Sequence, residues 1–306
     1  MILLAVWGYP FTAGGDAYQR SDGPDVTVFS PPALAVSADE ILRMVPRLKQ
    51  DLVDRFNRPF PGHVTIWLLN DARLFAQMIG RPYFSAFVRP EAGAMVIDNT
   101  KMHHAPLTLE TTLKHELCHL MLHRWIPASQ LHRWLDEGVA QWYSDGFSEL
   151  LAAGGGEALR RAVLSNNIPS FEDVNGYFSQ DRPSVILAYE ASRSIVDHMV
   201  RQYGVEGLLA FLGALGDGAS PDAALYAAAG VSLGEFEAGW RKALAKTDAW
   251  WVIGSIHFYE ILFFTAAVIT CIAFLRLMAK KKRYADDEDP DQLEETAGEE
   301  EDPGGG

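Results

Sequence analysis

The spacing of apolar residues along the first hundred positions predicts a mixture of helices and strands. Residues 37–56 carry apolar side chains at helical spacing behind the capping sequence Ser37 to Glu40, which predicts a helix kinked at Pro46. Residues 71–79 predict a second, short helix. Apolar runs predict buried strands at Val64–Leu69, Phe84–Val88 and Ala94–Asp98.

Helical periodicity dominates the sequence from residue 107 to residue 246. Residues 107–126 contain neither Gly nor Pro and carry leucines at helical spacing, so one unbroken helix is expected there. Glycines mark or interrupt further predicted helices at residues 148–165, 184–203, 206–215, 221–229 and 232–246. The sequence therefore predicts an α+β fold in which a small sheet precedes a helical lobe.

The pattern changes at Trp250, where a strongly apolar segment begins and continues to Met278. Its length suits a helix that crosses about 30 Å of hydrocarbon. Aromatic residues at one end and the basic cluster Lys280–Arg283 at the other favour a transmembrane helix over a buried core helix. The positive-inside rule then places residues 280–306 in the cytoplasm and the preceding domain outside it.

The N-terminus leaves a competing topology open. Met1–Trp7 is apolar, but it is short and lacks a basic start, so it resembles at most a weak or truncated export signal. The following stretch to Pro32 has the composition of a loop. Without an export signal, the chain would be a tail-anchored protein whose large domain faces the cytosol.

Composition sets the domain boundaries and excludes some functions. The chain has 306 residues, of which 48% are hydrophobic, and its net charge of −14 is concentrated near the C-terminus: residues 286–302 contain eleven acids and no base. This tail is predicted to be disordered, and the charge gives no reason to expect nucleic-acid binding. Two cysteines allow no disulfide framework. We expect a leader and loop (1–32), one domain (33–247), a transmembrane helix (250–278) and a basic and acidic tail (279–306).

Chemistry is concentrated in the predicted helix at residues 107–126. His115, Glu116 and His119 form the pattern H-E-x-x-H, which places the two imidazoles one turn apart on the same helix face. Both can reach a single Zn²⁺ ion, while Glu116 lies about 100° around the helix and can meet a water at that ion. A pair of ordinary core histidines is the alternative, so a third ligand is needed to decide.

The third ligand is expected from the segment Trp134–Ala140. His123 lies about 12 Å along the helix from His115, too far to share an ion, and is expected to be exposed or hydrogen-bonded. Glu137 can complete a site of two histidines and one carboxylate. With H-E-x-x-H followed by W-L-x-E-G-x-A, the chain resembles the gluzincins, which are thermolysin- and aminopeptidase-N-like zinc peptidases, and their smaller peptidase MA-like relatives.

The resemblance implies further roles. Tyr189, about fifty residues after Glu137, matches the tyrosine that stabilises the oxyanion in aminopeptidase-N-like enzymes. The resemblance also implies a zincin-like domain with a small mixed sheet. The last strand before the metal helix, here Ala94–Asp98, is expected to form the edge of this sheet and to pair with substrate. Asp136 and Gln141 are candidate partners for the second nitrogens of the histidines. Val96 stands where the amine-binding glutamate of the aminopeptidases would be, which favours an endopeptidase.

We therefore expect a membrane-anchored zinc peptidase that acts on peptides or proteins. Zn²⁺ would be held by His115, His119 and Glu137, Glu116 would activate water, and Tyr189 would stabilise the oxyanion. The alternatives are a catalytically silent zincin domain that binds a protein or peptide at the membrane, and a zinc hydrolase that cleaves another bond.

Overall fold

The computed structural model describes residues 18–60, 62–80, 84–104, 107–144, 156–256 and 258–287. The chain divides into a unit that ends at Ala245 and a second unit that begins at Lys246. The proposed leader Met1–Trp7, the glycines at 154 and 155, and the acidic tail from residue 288 lie outside the described residues.

The strands form one five-stranded sheet and one small hairpin. The sheet order is β1-β2-β3-β5-β4, in which β2, β3 and β5 are parallel and the two outer strands are antiparallel to their neighbours. β6 and β7 pair with each other just before the H-E-x-x-H segment. The strands are β1 (Gln19–Gly23), β2 (Val26–Ser30), β3 (Val64–Leu69), β4 (Ala86–Arg89), β5 (Ala94–Asp98), β6 (His103–His104) and β7 (Leu107–Thr108).

Helices make up most of the remaining described residues. Short 3₁₀ turns occur at Pro32–Leu34, Pro90–Ala92 and Asn99–Lys101. The α-helices are α1 (Ala35–Phe56), α2 (Ala72–Ile79), α3 (Leu109–Trp125), α4 (Arg133–Tyr143), α5 (Glu157–Leu164), α6 (Phe171–Tyr177), α7 (Arg182–Gly216), α8 (Pro221–Ala229), α9 (Leu233–Ile256) and α10 (Phe258–Asp287). Gly204 interrupts α7 with φ 72° and ψ 173°, at the position where the sequence predicted a helix end.

Two expectations for the first hundred residues are wrong. Residues 19–30 form the hairpin β1–β2 rather than a loop, because the run Val26 to Phe29 favours extended backbone and Asp25 turns the chain with φ 59°. The first helix starts at Ala35, before the predicted Ser37 cap, and Leu34 precedes it without a side-chain cap. It continues through Pro46.

A third correction concerns the edge of the sheet. β5 lies between β3 and β4, so the predicted edge strand Ala94–Asp98 is internal, and β4 is the edge strand on that side of the sheet. The reason is the reversal at Gly93, which has φ 60° and folds β5 back against β4 in antiparallel register. Strand order depends on this long-range pairing and cannot be read from local apolar patterns.

The main core lies between one face of the sheet and helices α1 and α3. Alternate residues of the strands, such as Val28, Ile66 and Ile97, enter this core together with Leu48 and Leu52 of α1. The opposite face carries a smaller cluster built on Leu69, Phe75 and Val96. Helix α3 is buried on nearly all sides, so its polar residues His115, Glu116 and His119 lie inside the protein.

Helices α4 and α7 pack unusually close together at Gly138. A Cβ atom at this position would lie 2.4 Å from the carbonyl oxygen of Ser192 and 2.7 Å from Cγ2 of Val196. Gln141, which is completely buried, donates from Nε2 to the carbonyl oxygens of Glu137 and Tyr189, each at 3.1 Å. Arg193 in turn donates from Nη1 to the carbonyl oxygen of Gln141 at 2.6 Å.

The second unit contains a helix long and apolar enough to cross a membrane. This segment, Ile261–Lys282 of α10, has a mean hydropathy of 2.3 and is exposed. The predicted span began at Trp250; in the structure residues up to Ile256 belong to α9, and α10 begins at Phe258.

Replacing Gly138 with Ala is expected to destabilise the protein. Because the added methyl group would collide with backbone, we expect the free energy of unfolding to fall by about 1–3 kcal/mol. Urea unfolding of the full chain in detergent, followed by tryptophan fluorescence, measures this change. Gly234→Ala is the matched control: Gly234 is helical with open space around it, so its replacement should be neutral or stabilising by up to about 1 kcal/mol. Equal stability of Gly138→Ala and the wild type would contradict the tight crossing.

Candidate metal centre

Helix α3 supplies two imidazoles that face each other. Its N-cap is Thr108, whose side chain accepts from the Thr111 N–H and starts the helix six residues before the first histidine. The Nε2 atoms of His115 and His119 lie 3.1 Å apart, and both residues are buried. Helix α3 lies within the residues predicted to be helical and carries both imidazoles one turn apart.

Helix α4 brings Glu137 to the same point. Its Oε2 atom lies 3.6 Å from Nε2 of His115 and 3.6 Å from Nε2 of His119. The three potential ligand atoms all lie within 4.8 Å of one another. The packing of two helices thus brings together His119 and Glu137, which are eighteen positions apart in the chain.

These residues fit a Zn²⁺ ion. Oε2 of Glu137 is buried and has no hydrogen-bond partner among the described residues, although burial of an unpaired carboxylate oxygen is costly. A cation among the three atoms would satisfy it. Two imidazoles and one carboxylate are the donor set of catalytic zinc sites that keep one position open.

The charges of the centre are strongly coupled. Burial alone would raise the pKa of Glu137, but the charge of His119 and the proximity of both imidazoles hold it well below its usual range. Burial would lower the pKa of His119, yet the carboxylates of Asp136 and Glu137 raise it well above its ordinary value. The centre is therefore built to hold positive charge next to Glu137.

Asp136 orients the second histidine. Its Oδ1 atom lies 2.8 Å from Nδ1 of His119, and its Oδ2 atom lies 2.8 Å from Nε2 of His123. This contact fixes the His119 ring so that Nε2 faces Glu137. The expectation for Asp136 is met, and His123 is hydrogen-bonded as expected.

The side-chain amide of Gln141 donates to backbone carbonyl oxygens of α4 and α7. Within the part of the chain that the structure describes, this candidate therefore makes no hydrogen bond to either histidine ring. Among the described residues, Oγ of Ser144 lies 3.5 Å from Nδ1 of His115, at the outer limit of a hydrogen bond. Ser144 already donates to the carbonyl oxygen of Ala140, so it can only accept from the ring. The sequence analysis missed Ser144, and no local pattern marks it.

Glu116 lies beside His115 on α3 and is 7% exposed. Burial raises the pKa of this carboxyl group above its usual value, while the charges of His115 and His119 oppose the rise. A carboxylate whose pKa moves towards neutrality is a better proton acceptor at physiological pH than an ordinary glutamate.

Tyr189 reaches the centre from α7. Its hydroxyl donates to Oε1 of Glu137 at 3.0 Å, and its ring packs against Phe178 with centroids 5.2 Å apart. Burial and the negative charge of Glu137 raise the pKa of Tyr189 well above its usual value, so the phenol stays protonated and can donate. Its hydrogen bond to the proposed ligand Glu137 was not foreseen from the sequence.

One comparison with known proteins matches the part of the chain that contains this centre. The family model described as Peptidase MA superfamily matches residues 97–246, which contain α3, α4 and Tyr189. A search of curated proteins finds no match. Similar solved structures include yeast LTA4 hydrolase in complex with bestatin, at 14% identity and a TM-score of 0.43, covering 78% of this chain and 37% of that one.

Native LTA4 hydrolase from Saccharomyces cerevisiae is similar at 14% identity and a TM-score of 0.42, covering 67% of this chain and 33% of that one. The chain thus spans between 33% and 37% of the length of these proteins. The family match covers residues 97–246, just under half of the chain, and this part, which contains the whole centre, is similar to the peptidase MA superfamily.

Proposed function

We propose that this protein is a zinc-dependent peptidase whose catalytic domain comprises residues 33–247. The observation that carries the proposal is the convergence of His115, His119 and Glu137 around a buried, unsatisfied carboxylate oxygen, next to Glu116. If the two histidines had only a structural role, they would not need a buried oxygen of Glu137 that lacks a partner. They would also not need a second buried glutamate beside them.

Each residue then has a defined task. Bound zinc would polarise the scissile carbonyl group and lower the pKa of a nearby water. Glu116 accepts a proton from the attacking water and passes it to the leaving amine, for which its burial and raised pKa are suited. Asp136 keeps the His119 ring in place through the reaction.

Tyr189 supplies the donor for the oxyanion. Its hydroxyl already donates to an anionic oxygen, Oε1 of Glu137, and a small rotation would redirect the same O–H to the negative charge that develops on the substrate. Its buried ring, held between Phe84 and Phe178, restricts the hydroxyl to this part of the centre.

The substrate is a peptide or protein cleaved within the chain. Val96 is 1% exposed and packs with Leu69 and Phe75 on the far face of the sheet, so this position offers no carboxylate for a substrate amine. Asp98 is buried and accepts hydrogen bonds from Thr100. An extended substrate would pair with the edge strand β4.

The catalytic domain is anchored to a membrane by α10. Ile261–Lys282 is long and apolar enough to span, and the basic residues from Lys280 to Arg283 would lie on the cytoplasmic side. The catalytic domain would then face outward and meet its substrates outside the cytoplasm.

Replacing Glu116 with Gln is expected to lower kcat by about 10²–10⁴-fold and to leave one zinc per chain. Glu137→Ala should lose both activity and zinc, because it removes a ligand. Elemental analysis and peptide hydrolysis by the full chain in detergent test both variants, with Glu110→Gln on the same helix as the matched control.

Three results would reject this mechanism. Full activity of Glu116→Gln would exclude its role as the base. Absence of zinc from carefully prepared wild type would favour the silent domain that only binds a protein or peptide, and zinc without peptide hydrolysis would favour another bond as the target.

Tyr189→Phe removes the oxyanion donor and should lower kcat by about 10²–10³-fold with a small change in KM. Steady-state kinetics on one peptide give both constants. Tyr143→Phe is the control, since the Tyr143 hydroxyl is buried without a partner among the described residues, and its removal should leave activity unchanged. An unchanged kcat in Tyr189→Phe would show that the tyrosine only packs.

The proposed topology is tested by adding protease to intact cells that express the full chain with an epitope tag after Gly306. The catalytic domain should be digested, and the tagged tail should be protected until the membrane is permeabilised. Protection of the catalytic domain in intact cells would instead support a tail-anchored protein with a cytosolic domain.

A further inference from the structure

Arg133 is an exposed cation one helical turn before Glu137 on α4. Residues four apart share a helix face, so Arg133 and the proposed metal ligand lie on the same side of α4. The guanidinium Cζ atom lies 4.7 Å from the centroid of the Phe178 ring. Phe178 is completely buried and stands edge-on to Tyr189, so a continuous contact runs from Arg133 to the oxyanion donor.

The support beneath Arg133 is rigid. Asn175 of α6 accepts the Trp134 N–H at 3.1 Å, and its Nδ2 atom lies 3.1 Å from Nδ1 of His132. These contacts tie the start of α4 to the helix that precedes Phe178. They fix the backbone that carries Arg133 relative to the Phe178 ring on which its guanidinium stacks.

Helix stability does not explain this charge. A cation in the first turn of a helix is unfavourable, since the N-terminal end of the helix dipole is itself positive. Among the residues that the structure describes, no carboxylate forms an ion pair with Arg133.

We propose that Arg133 is a specificity-determining residue that binds a carboxylate group of the peptide substrate close to the scissile bond. A guanidinium stacked on an aromatic ring keeps its edge open for two parallel hydrogen bonds to a carboxylate. The carboxylate comes either from an acidic side chain or from the C-terminus of a short peptide. This inference rests on the proposed peptidase function and adds the class of substrate to it.

The test uses the full chain in detergent and matched fluorogenic peptides. One pair differs by Glu against Gln at successive positions around the cleaved bond, and a second pair differs by a free or amidated C-terminus. The wild type should prefer the carboxylate member of one pair by about tenfold in kcat/KM, the size of one hydrogen bond to a charged group. The pair that shows the preference identifies the source of the carboxylate.

Arg133→Gln should abolish this preference while keeping kcat/KM for the neutral peptide within about twofold, and Arg133→Lys should retain part of it. Arg160→Gln, an exposed arginine of α5, is the matched control and should retain the full preference. Equal loss on charged and neutral peptides would mean that Arg133 only stabilises α4, which would overturn the proposal. A wild type without preference in either pair would do the same.

Binding separates this inference from the peptidase function. Calorimetry with the zinc-loaded Glu116→Gln variant measures affinity for the same peptides without turnover. If the wild type cleaves no peptide but Glu116→Gln binds the carboxylate members more tightly, and Glu116→Gln/Arg133→Gln does not, the peptidase proposal fails and the carboxylate site stands. Equal affinity of Glu116→Gln for charged and neutral peptides overturns the carboxylate site.

Discussion

The close crossing of α4 and α7 at Gly138 is the contact on which the rest of the centre depends. Only a residue without a Cβ atom allows the α4 backbone to approach the carbonyl oxygen of Ser192. Glu137 directly precedes this glycine, and Tyr189 lies almost one turn before Ser192 on the opposing helix. One small residue therefore sets the separation between a proposed metal ligand and a proposed catalytic hydroxyl, and the hydrogen bonds from Gln141 and Arg193 hold that separation.

The close crossing of α4 and α7 allows several charged side chains to be buried together at the candidate metal centre. Glu116, Asp136 and Glu137 are each less than a tenth exposed, together with both histidines of the motif. Isolated buried carboxylates are strongly unfavourable, so each must be compensated locally. Asp136 is compensated by His119 and His123, and Glu137 is compensated on one oxygen by Tyr189. The remaining oxygen of Glu137 lacks a partner within the described chain, so a cation bound there would be expected to stabilise the fold.

The parts of the centre that lie on one helix could be predicted from the sequence, because helical spacing alone fixes which side chains share a face. His115, Glu116 and His119 belong to this class, and Asp136 was accessible through its position beside Glu137. The hydrogen bond from Tyr189 to Glu137, the contact of Ser144 with His115 and the stacking of Arg133 on Phe178 join elements distant in the chain. The strand order likewise depends on the turn at Gly93 and on long-range pairing, which explains why β5 was wrongly placed at the edge.

The two oxygens of Glu137 have different surroundings, and this difference links binding to catalysis. Oε2 faces Nε2 of both histidines, whereas Oε1 accepts the hydrogen bond from Tyr189. Tyr189 thereby favours one oxygen of Glu137 over the other as a ligand, and it also keeps its own hydroxyl beside the place where substrate charge would develop. In the proposed mechanism, the hydroxyl would exchange one anionic acceptor for another when that charge appears, so no buried donor would be left unpaired at either stage. A phenylalanine at position 189 would fill the same space between Phe84 and Phe178. It has no hydroxyl, so it could neither orient Glu137 nor donate a hydrogen bond to the proposed oxyanion.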